Sequence, residues 1–173
     1  MVKDFIKPIA VLSLICLVIS CALAVTNGFT KPVILEAAAM RAEEARYAVL
    51  PQATGFEPLG VEGLPASVRE AYRSENRVGY VFVIAAGGYG GEMILMCGVG
   101  ADGKLVKSTT LEHSETKGLG SKVTESHFED RFVGLSGGFD GVEAITGATI
   151  SSTAYISAIS DALQAYLTIE EGS

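Results

Sequence analysis

A chain of 173 residues with 20 acidic and 13 basic side chains is long enough for one domain and an appendage. Beyond Gly28 the acidic residues outnumber the basic ones 19 to 11, which argues against nucleic acid as a partner and against holding anionic lipid through a basic face. The three cysteines (Cys16, Cys21, Cys97) and two histidines (His113, His127) are too few and too scattered for an intradomain disulfide, an iron–sulfur cluster or a zinc site.

The appendage comes first. Pro8 to Val25 reads PIAVLSLICLVISCALAV, 18 residues without a charge, at the lower end of what spans a bilayer. It supplies most of the positive mean hydropathy of +0.37. Asn27, Gly28 and Lys31-Pro32 are expected to close it. An uncleaved transmembrane anchor is expected, because the apolar part of a signal peptide usually runs only about 7–15 residues. The alternative is a lipoprotein signal, since Val18-Ile19-Ser20-Cys21 resembles a cleavage box with Cys21 lipidated. Lys3 and Lys7 before the segment are nearly balanced by Lys31, Arg41 and Arg46 after it, so basic residues do not set its orientation.

Ile34 to Leu50 is rich in Ala, Glu and Arg and is predicted to be a helix that Pro51 stops. Residues 51–65 carry Pro, Gly and Thr and are predicted to form a loop or irregular edge, and Ala66 to Arg73 a short helix. Val78 to Ala86 is β-branched and aromatic and predicts a strand. Gly87-Gly88-Tyr89-Gly90-Gly91 makes a tight connection to a second strand, Glu92 to Val99. A hairpin turn at Ala101 to Lys104 leads to a third, Leu105 to Leu111. Near the end, Tyr155, Ile159, Ala162, Leu163 and Tyr166 recur at helical spacing. The order predicts an α+β fold, with an antiparallel sheet and flanking helices behind one transmembrane helix. The expected division is 1–28 for the tail and anchor, 29–65 for a linker and first helix, and 66–173 for the folded domain.

Three segments could carry chemistry. In Ile145-Thr146-Gly147-Ala148-Thr149-Ile150-Ser151-Ser152, small residues run into a hydroxyl-rich stretch directly before the last helix. Ser151 and Ser152 are suitable N-caps. Thr149 would then sit just ahead of a helix N-terminus, where free amides and the macrodipole favour phosphate, although most such runs are only caps. A Thr149 nucleophile for hydrolysis would need a base and an oxyanion hole, and no G-x-S-x-G elbow is present. GGYGG lacks the G-x-G-x-x-G spacing of a dinucleotide fold and reads first as a hairpin turn. In Leu111-Glu112-His113-Ser114-Glu115-Thr116-Lys117-Gly118-Leu119-Gly120, His113 and Glu115 could be an acid/base pair or part of an exposed loop.

The order of anchor, Ala/Glu-rich helix, GYGG between strands, HSETKGLG and TGAT before a terminal helix closely resembles the RnfG family, the G subunits of Rnf electron-transport complexes. It is also similar to the flavin-bearing subunit of the sodium-translocating NADH:quinone reductase. The resemblance covers essentially the whole chain. It implies an electron-transfer subunit, with no independent catalytic activity, that carries FMN joined through its phosphate to Thr149. Thr146, Gly147, Ala148 and Ser151 would surround the attachment point. His113, Glu115, Thr116, Gly118, Leu119 and Tyr89 would lie near the flavin. The implied partners are the membrane and redox subunits of the complex and a flavin transferase that uses FAD. The implied location is the cytoplasmic membrane, with the domain on the extracytoplasmic side. An FMN-domain electron carrier outside such a complex is the alternative. Two positions depart from the family pattern: Lys117, where Pro is frequent, and Glu143, where the transferase motif usually has Asp.

Overall fold

The computed structural model describes residues 2–172, so the outermost residues of the expected 1–28 and 66–173 segments lie outside the described residues. The chain divides into two compact units between Arg41 and Ala42.

Helix α1 is one continuous element of 48 residues, Val2–Val49. The break expected at Asn27 to Pro32 does not occur, and the helix expected from Ile34 is its second half. Thr26 Oγ1 donates to the Ala22 carbonyl (2.9 Å) and Thr30 Oγ1 to the Thr26 carbonyl (2.8 Å), so both hydroxyls bond back onto the helix. Pro32 removes a single amide donor, and the good helix formers Leu35 to Met40 carry the helix onward. Its most apolar 18-residue window has a mean hydropathy of 2.7 and is unburied. It is long and apolar enough to cross a membrane.

From Ala42 onward the last turns of α1 join a five-stranded antiparallel sheet in the order β1-β2-β3-β4-β5. The strands are β1 Phe56–Leu59, β2 Val68–Ser74, β3 Gly79–Gly87, β4 Glu92–Gly100 and β5 Leu105–Glu112. Short helical turns follow, among them α2 Ser126–Glu129, and then the long helix α3 Thr149–Glu171. The expected meander of three strands is present, and the α+β class holds.

Residues 51–65, expected as a loop or irregular edge, carry the short edge strand β1, whose Pro58 is tolerated because β1 is an edge strand. The expectation beside it fails. Ala66 to Arg73, expected as a helix, is mostly strand β2. Its buried residues fall three apart, at Val68, Ala71 and Ser74, which imitates a helical face; a bulge between Val68 and Glu70 accounts for the first of these steps. Exposed ion pairs, Arg69–Glu92 (3.0 Å) and Arg73–Glu57 (3.1 Å), flank it.

One face of the sheet packs Phe82, Ile84, Leu95 and Val99 against Tyr155, Ile159, Ala162, Leu163 and Tyr166, the stripe predicted for the last helix. The other face packs Val81, Val83 and Met96 against Val49 and Leu50 at the end of α1. Burial on both faces explains why β3 and β4 read as continuous apolar runs. Gly98 is required where α1 ends, because a Cβ there would collide with the Val49 carbonyl. The second unit therefore keeps both of its core clusters when residues 1–41 are removed. A chain starting at Ala42 is expected to be monodisperse and to melt cooperatively in aqueous buffer. Aggregation of that chain would show that the first unit takes part in folding the domain.

Two buried groups in this core could be mistaken for chemistry. Cys97 is fully buried and its thiol is pushed up by burial and by the nearby Glu129, which makes it a small core residue and a poor nucleophile. Glu129, on α2, accepts hydrogen bonds from the Thr110 amide (3.1 Å), the Thr110 hydroxyl (3.3 Å) and the Tyr155 hydroxyl (3.4 Å). Burial raises its carboxyl above the usual range, against the opposing pull of Thr110, Tyr155 and Lys107. A raised folded value means the stabilising protonated form is complete below the unfolded value and is lost as pH rises through the folded one. Glu129→Gln keeps an acceptor for all three donors and no longer ionises. Its melting temperature is expected to gain on the wild type as pH rises from about 4 to neutrality. A difference independent of pH would contradict this reading.

Candidate functional site

The site is built where α3 begins. The chain turns at Ile145–Ala148, closed by the Ala148 amide donating to the Ile145 carbonyl (2.9 Å), with Gly147 at φ +82°. A left-handed residue in the third place is the mark of a type II turn, and glycine adopts it without strain. Helix α3 then starts at Thr149, with Ala148 as N-cap and no side-chain cap bond. The expectation that Ser151 and Ser152 cap the helix is corrected: both lie within its first turns and point inward. The Ile145 amide donates to Ser152 Oγ (3.0 Å), which stitches the turn to the helix. Ser151 Oγ donates to Glu115 Oε2 (2.7 Å). The Ser152 amide makes the first intrahelical bond, to the Ala148 carbonyl (2.9 Å). The amides of Thr149, Ile150 and Ser151 therefore have no intrahelical acceptor and no side-chain cap. Thr149 is exposed, and its hydroxyl has no hydrogen bond among the described residues.

The HSETKGLG segment folds over this helix end. The Glu115 amide donates to His113 Nδ1 (3.2 Å), and the Leu119 amide to the Thr116 carbonyl (3.1 Å). Gly118, at φ +78°, takes the third place of that second turn, and Lys117 the second. Proline is favoured at the second place, so the Lys117 departure gives up a preset φ. Ser121 compensates: its Oγ accepts from the Gly118 amide (2.9 Å), and its amide donates to the Thr116 carbonyl (3.2 Å).

The GGYGG turn closes β3 and β4 through the Gly88 amide, which donates to the Gly91 carbonyl (2.8 Å) and leaves the Tyr89 ring 74 % exposed. The Gly90 amide donates to Glu115 Oε1 (3.1 Å). The three segments singled out in the sequence thus converge. Between them lies a cleft of about 400 Å³, lined by Tyr89, Glu115, Thr116, Leu119, Gly120, Gly147, Ala148, Thr149, Ile150 and Ser151. Exposed apolar side chains at its mouth (Tyr89, Leu119, Ile150) stand over a polar wall of Glu115, Thr116 and Ser151.

Three sequence candidates do not line this cleft. His113 is exposed and holds the Glu115 amide, Gly118 forms a turn, and Thr146 lies on the far side of the Ile145 turn. Gly120 and Ile150, which belong to the HSETKGLG and Ile145–Ser152 segments but were not among the residues expected around the flavin, line it as well. Nothing in the lining sets up Thr149 for hydrolysis, because the Glu115 carboxylate is engaged by Gly90 and Ser151 and neither histidine is present. No group of metal-binding side chains occurs among the described residues. Glu143 and Thr146 line a separate depression with Lys122, Glu125, His127 and Arg131, where Arg131 Nη1 donates to the Glu143 carbonyl (3.3 Å).

Residues 88–164, which contain every segment of the cleft, match the FMN-binding domain family. Over 98 % of both chains the sequence is 34 % identical to the G subunit of the ion-translocating oxidoreductase complex of Methanosarcina acetivorans. The chain belongs to this G-subunit family. It is also 31 % identical to the G subunit of the Na(+)-translocating ferredoxin:NAD(+) oxidoreductase complex of Acetobacterium woodii, over 90 % of this chain and 88 % of that one. The G subunit of the proton-translocating ferredoxin:NAD(+) oxidoreductase complex from Clostridium ljungdahlii is 29 % identical over 59 % of this chain and 60 % of its own. As a member of this family the chain offers three features that suit FMN. They are a cleft in the size range of cofactor sites, uncapped amides that suit a phosphate, and apolar side chains that suit a flat ring.

Proposed function

We propose that this protein is the membrane-anchored flavoprotein subunit of an ion-translocating ferredoxin:NAD oxidoreductase (Rnf) complex, relaying electrons through FMN bound covalently to Thr149. The observation that carries the reading is the Thr149 hydroxyl, free and exposed in the first turn of an uncapped helix, on the wall of the cleft that all three motifs share. Bound FMN supplies one- and two-electron transfer. The chain's own residues do the rest. The amides of Thr149, Ile150 and Ser151 orient the phosphate. Tyr89, Leu119 and Ile150 would shield a flavin ring from water, and the Thr116 hydroxyl would offer it a hydrogen bond. Gly147 and Ala148 keep the approach open.

Attachment uses a flavin transferase with FAD as donor. The Thr149 oxygen forms a bond to the FMN phosphorus and the pyrophosphate bond of FAD breaks. AMP leaves, and the hydroxyl proton is released. Helix α1 anchors the chain in the cytoplasmic membrane by a single pass, with the domain on the extracytoplasmic side beside the other membrane and redox subunits. Coexpression with a flavin transferase tests the reading. A yellow protein that stays fluorescent on a denaturing gel is expected, and a colourless one would overturn it.

The Glu143 departure gives a graded test. Glu143 is exposed, next to the turn that presents Thr149, so a transferase can reach its carboxylate. Glu143→Ala is expected to slow flavinylation several-fold, and Glu143→Asp to match or exceed the wild type. Equal labelling rates for all three would show that the position is not read.

A further inference from the structure

Glu115 sits at the junction of the three segments. It is 8 % exposed, and both of its oxygens are used, Oε1 by the Gly90 amide (3.1 Å) and Oε2 by Ser151 Oγ (2.7 Å). The room it occupies is defined by glycines. A Cβ on Gly88 would collide with Oε1, and a Cβ on Gly120 with Oε2. Neither glycine has a positive φ, so the main obstacle to alanine at both is the Glu115 carboxylate; the Gly91 carbonyl (3.2 Å) at Gly88 and the Glu115 Cβ (3.1 Å) at Gly120 add closer than ordinary contacts. Gly88 and Gly120 therefore house the Glu115 carboxylate, whereas the glycine spacing of their segments alone suggests a close approach to a ligand.

Ser151 lies two residues beyond Thr149, in the same helical turn. A bond fixing Ser151 to the sheet hairpin also fixes the rotation of that turn, and with it the direction of the Thr149 hydroxyl. From this geometry, and resting on the reading of Thr149 as the FMN attachment point, we infer that Glu115 is the positioning residue of the site. It latches the hairpin, the loop and the helix N-terminus into one cleft. It also places a negative charge on the cleft wall. That charge would oppose the gain of electrons by a flavin held in the cleft and so hold its midpoint potential down.

The test uses the full-length chain coexpressed with the transferase, and reads labelling rate, midpoint potential and melting temperature. Glu115→Ala is expected to slow labelling about tenfold or more, because a displaced nucleophile loses its productive geometry. Glu115→Gln retains an acceptor for Gly90 and a polar partner for Ser151. It is expected to restore most of the labelling rate while shifting the midpoint potential to a more positive value. Gly120→Ala should lower labelling and melting temperature in the wild-type background and cost little further in the Glu115→Ala background. Wild-type labelling by Glu115→Ala would overturn the inference, as would equal Gly120→Ala losses in both backgrounds. Absence of labelling in the wild type would instead overturn the Thr149 reading. The latch would then be judged by the melting temperatures of the Gly120 and Glu115 single and double variants, where strict additivity would refute it.

Discussion

Thr149→Val is expected to remove the covalent flavin completely while leaving the domain folded. Valine keeps the β-branched shape of threonine and loses only the hydroxyl oxygen, the atom required for a phosphoester. Little stability should be lost, because that hydroxyl has no hydrogen-bond partner among the described residues and the N-cap position belongs to Ala148. An exposed substitution of this kind usually changes stability by no more than about 0.5 kcal/mol. Fluorescence of the denatured chain measures the first effect and thermal melting the second. A fluorescent band that persists in Thr149→Val would place the attachment elsewhere.

Tyr155→Ala is expected to have the largest effect on the fold. Tyr155 is fully buried, and its ring lies 5.5 Å from those of both Phe128 and Phe132. Its hydroxyl donates to Ser108 Oγ (2.9 Å) and lies within reach of Glu129 (3.4 Å). Truncating a large buried aromatic costs about 3–5 kcal/mol, against a total stability of about 5–15 kcal/mol for a domain of this kind. The change also removes the hydroxyl that Ser108 and the buried Glu129 carboxyl face. Helix α3 should dock loosely, and flavinylation should fall with it because Thr149 stands at its head. Tyr155→Phe isolates the hydroxyl and should lose a smaller share. Chemical denaturation of the three proteins would measure both. A Tyr155→Ala midpoint close to the wild type would contradict the core as described.

Much of the fold was legible because its strongest signals are periodic. The apolar runs of β3 and β4 and the Tyr155 to Tyr166 stripe of α3 each reflect burial against a defined surface. The edge of the sheet was not legible. In β2 the buried residues fall three apart, the first step set by a bulge, and the polar ends of Arg69, Glu70 and Arg73 completed a helical disguise. The long α1 was hidden by Asn27, Gly28 and Pro32, each of which ends helices elsewhere; here good helix formers on the far side outweigh them. At the site, the sequence supplied the three segments but not their arrangement. Ser151 and Ser152 look like caps because serine favours that place, yet tertiary partners at Glu115 and Ile145 draw both inward. The part played by Gly88 and Gly120 is visible only once the Glu115 carboxylate is seen between them.

Peptide mapping tests the attachment at Thr149 most directly. The full-length protein, coexpressed with a flavin transferase, is digested and the fluorescent peptide is sequenced by tandem mass spectrometry. A single modified peptide spanning Ile145 to Ser152 is expected, carrying one FMN residue in phosphoester linkage on Thr149. A flavin on Thr146, Ser151 or another residue, or a wild-type chain without covalent flavin, would contradict it.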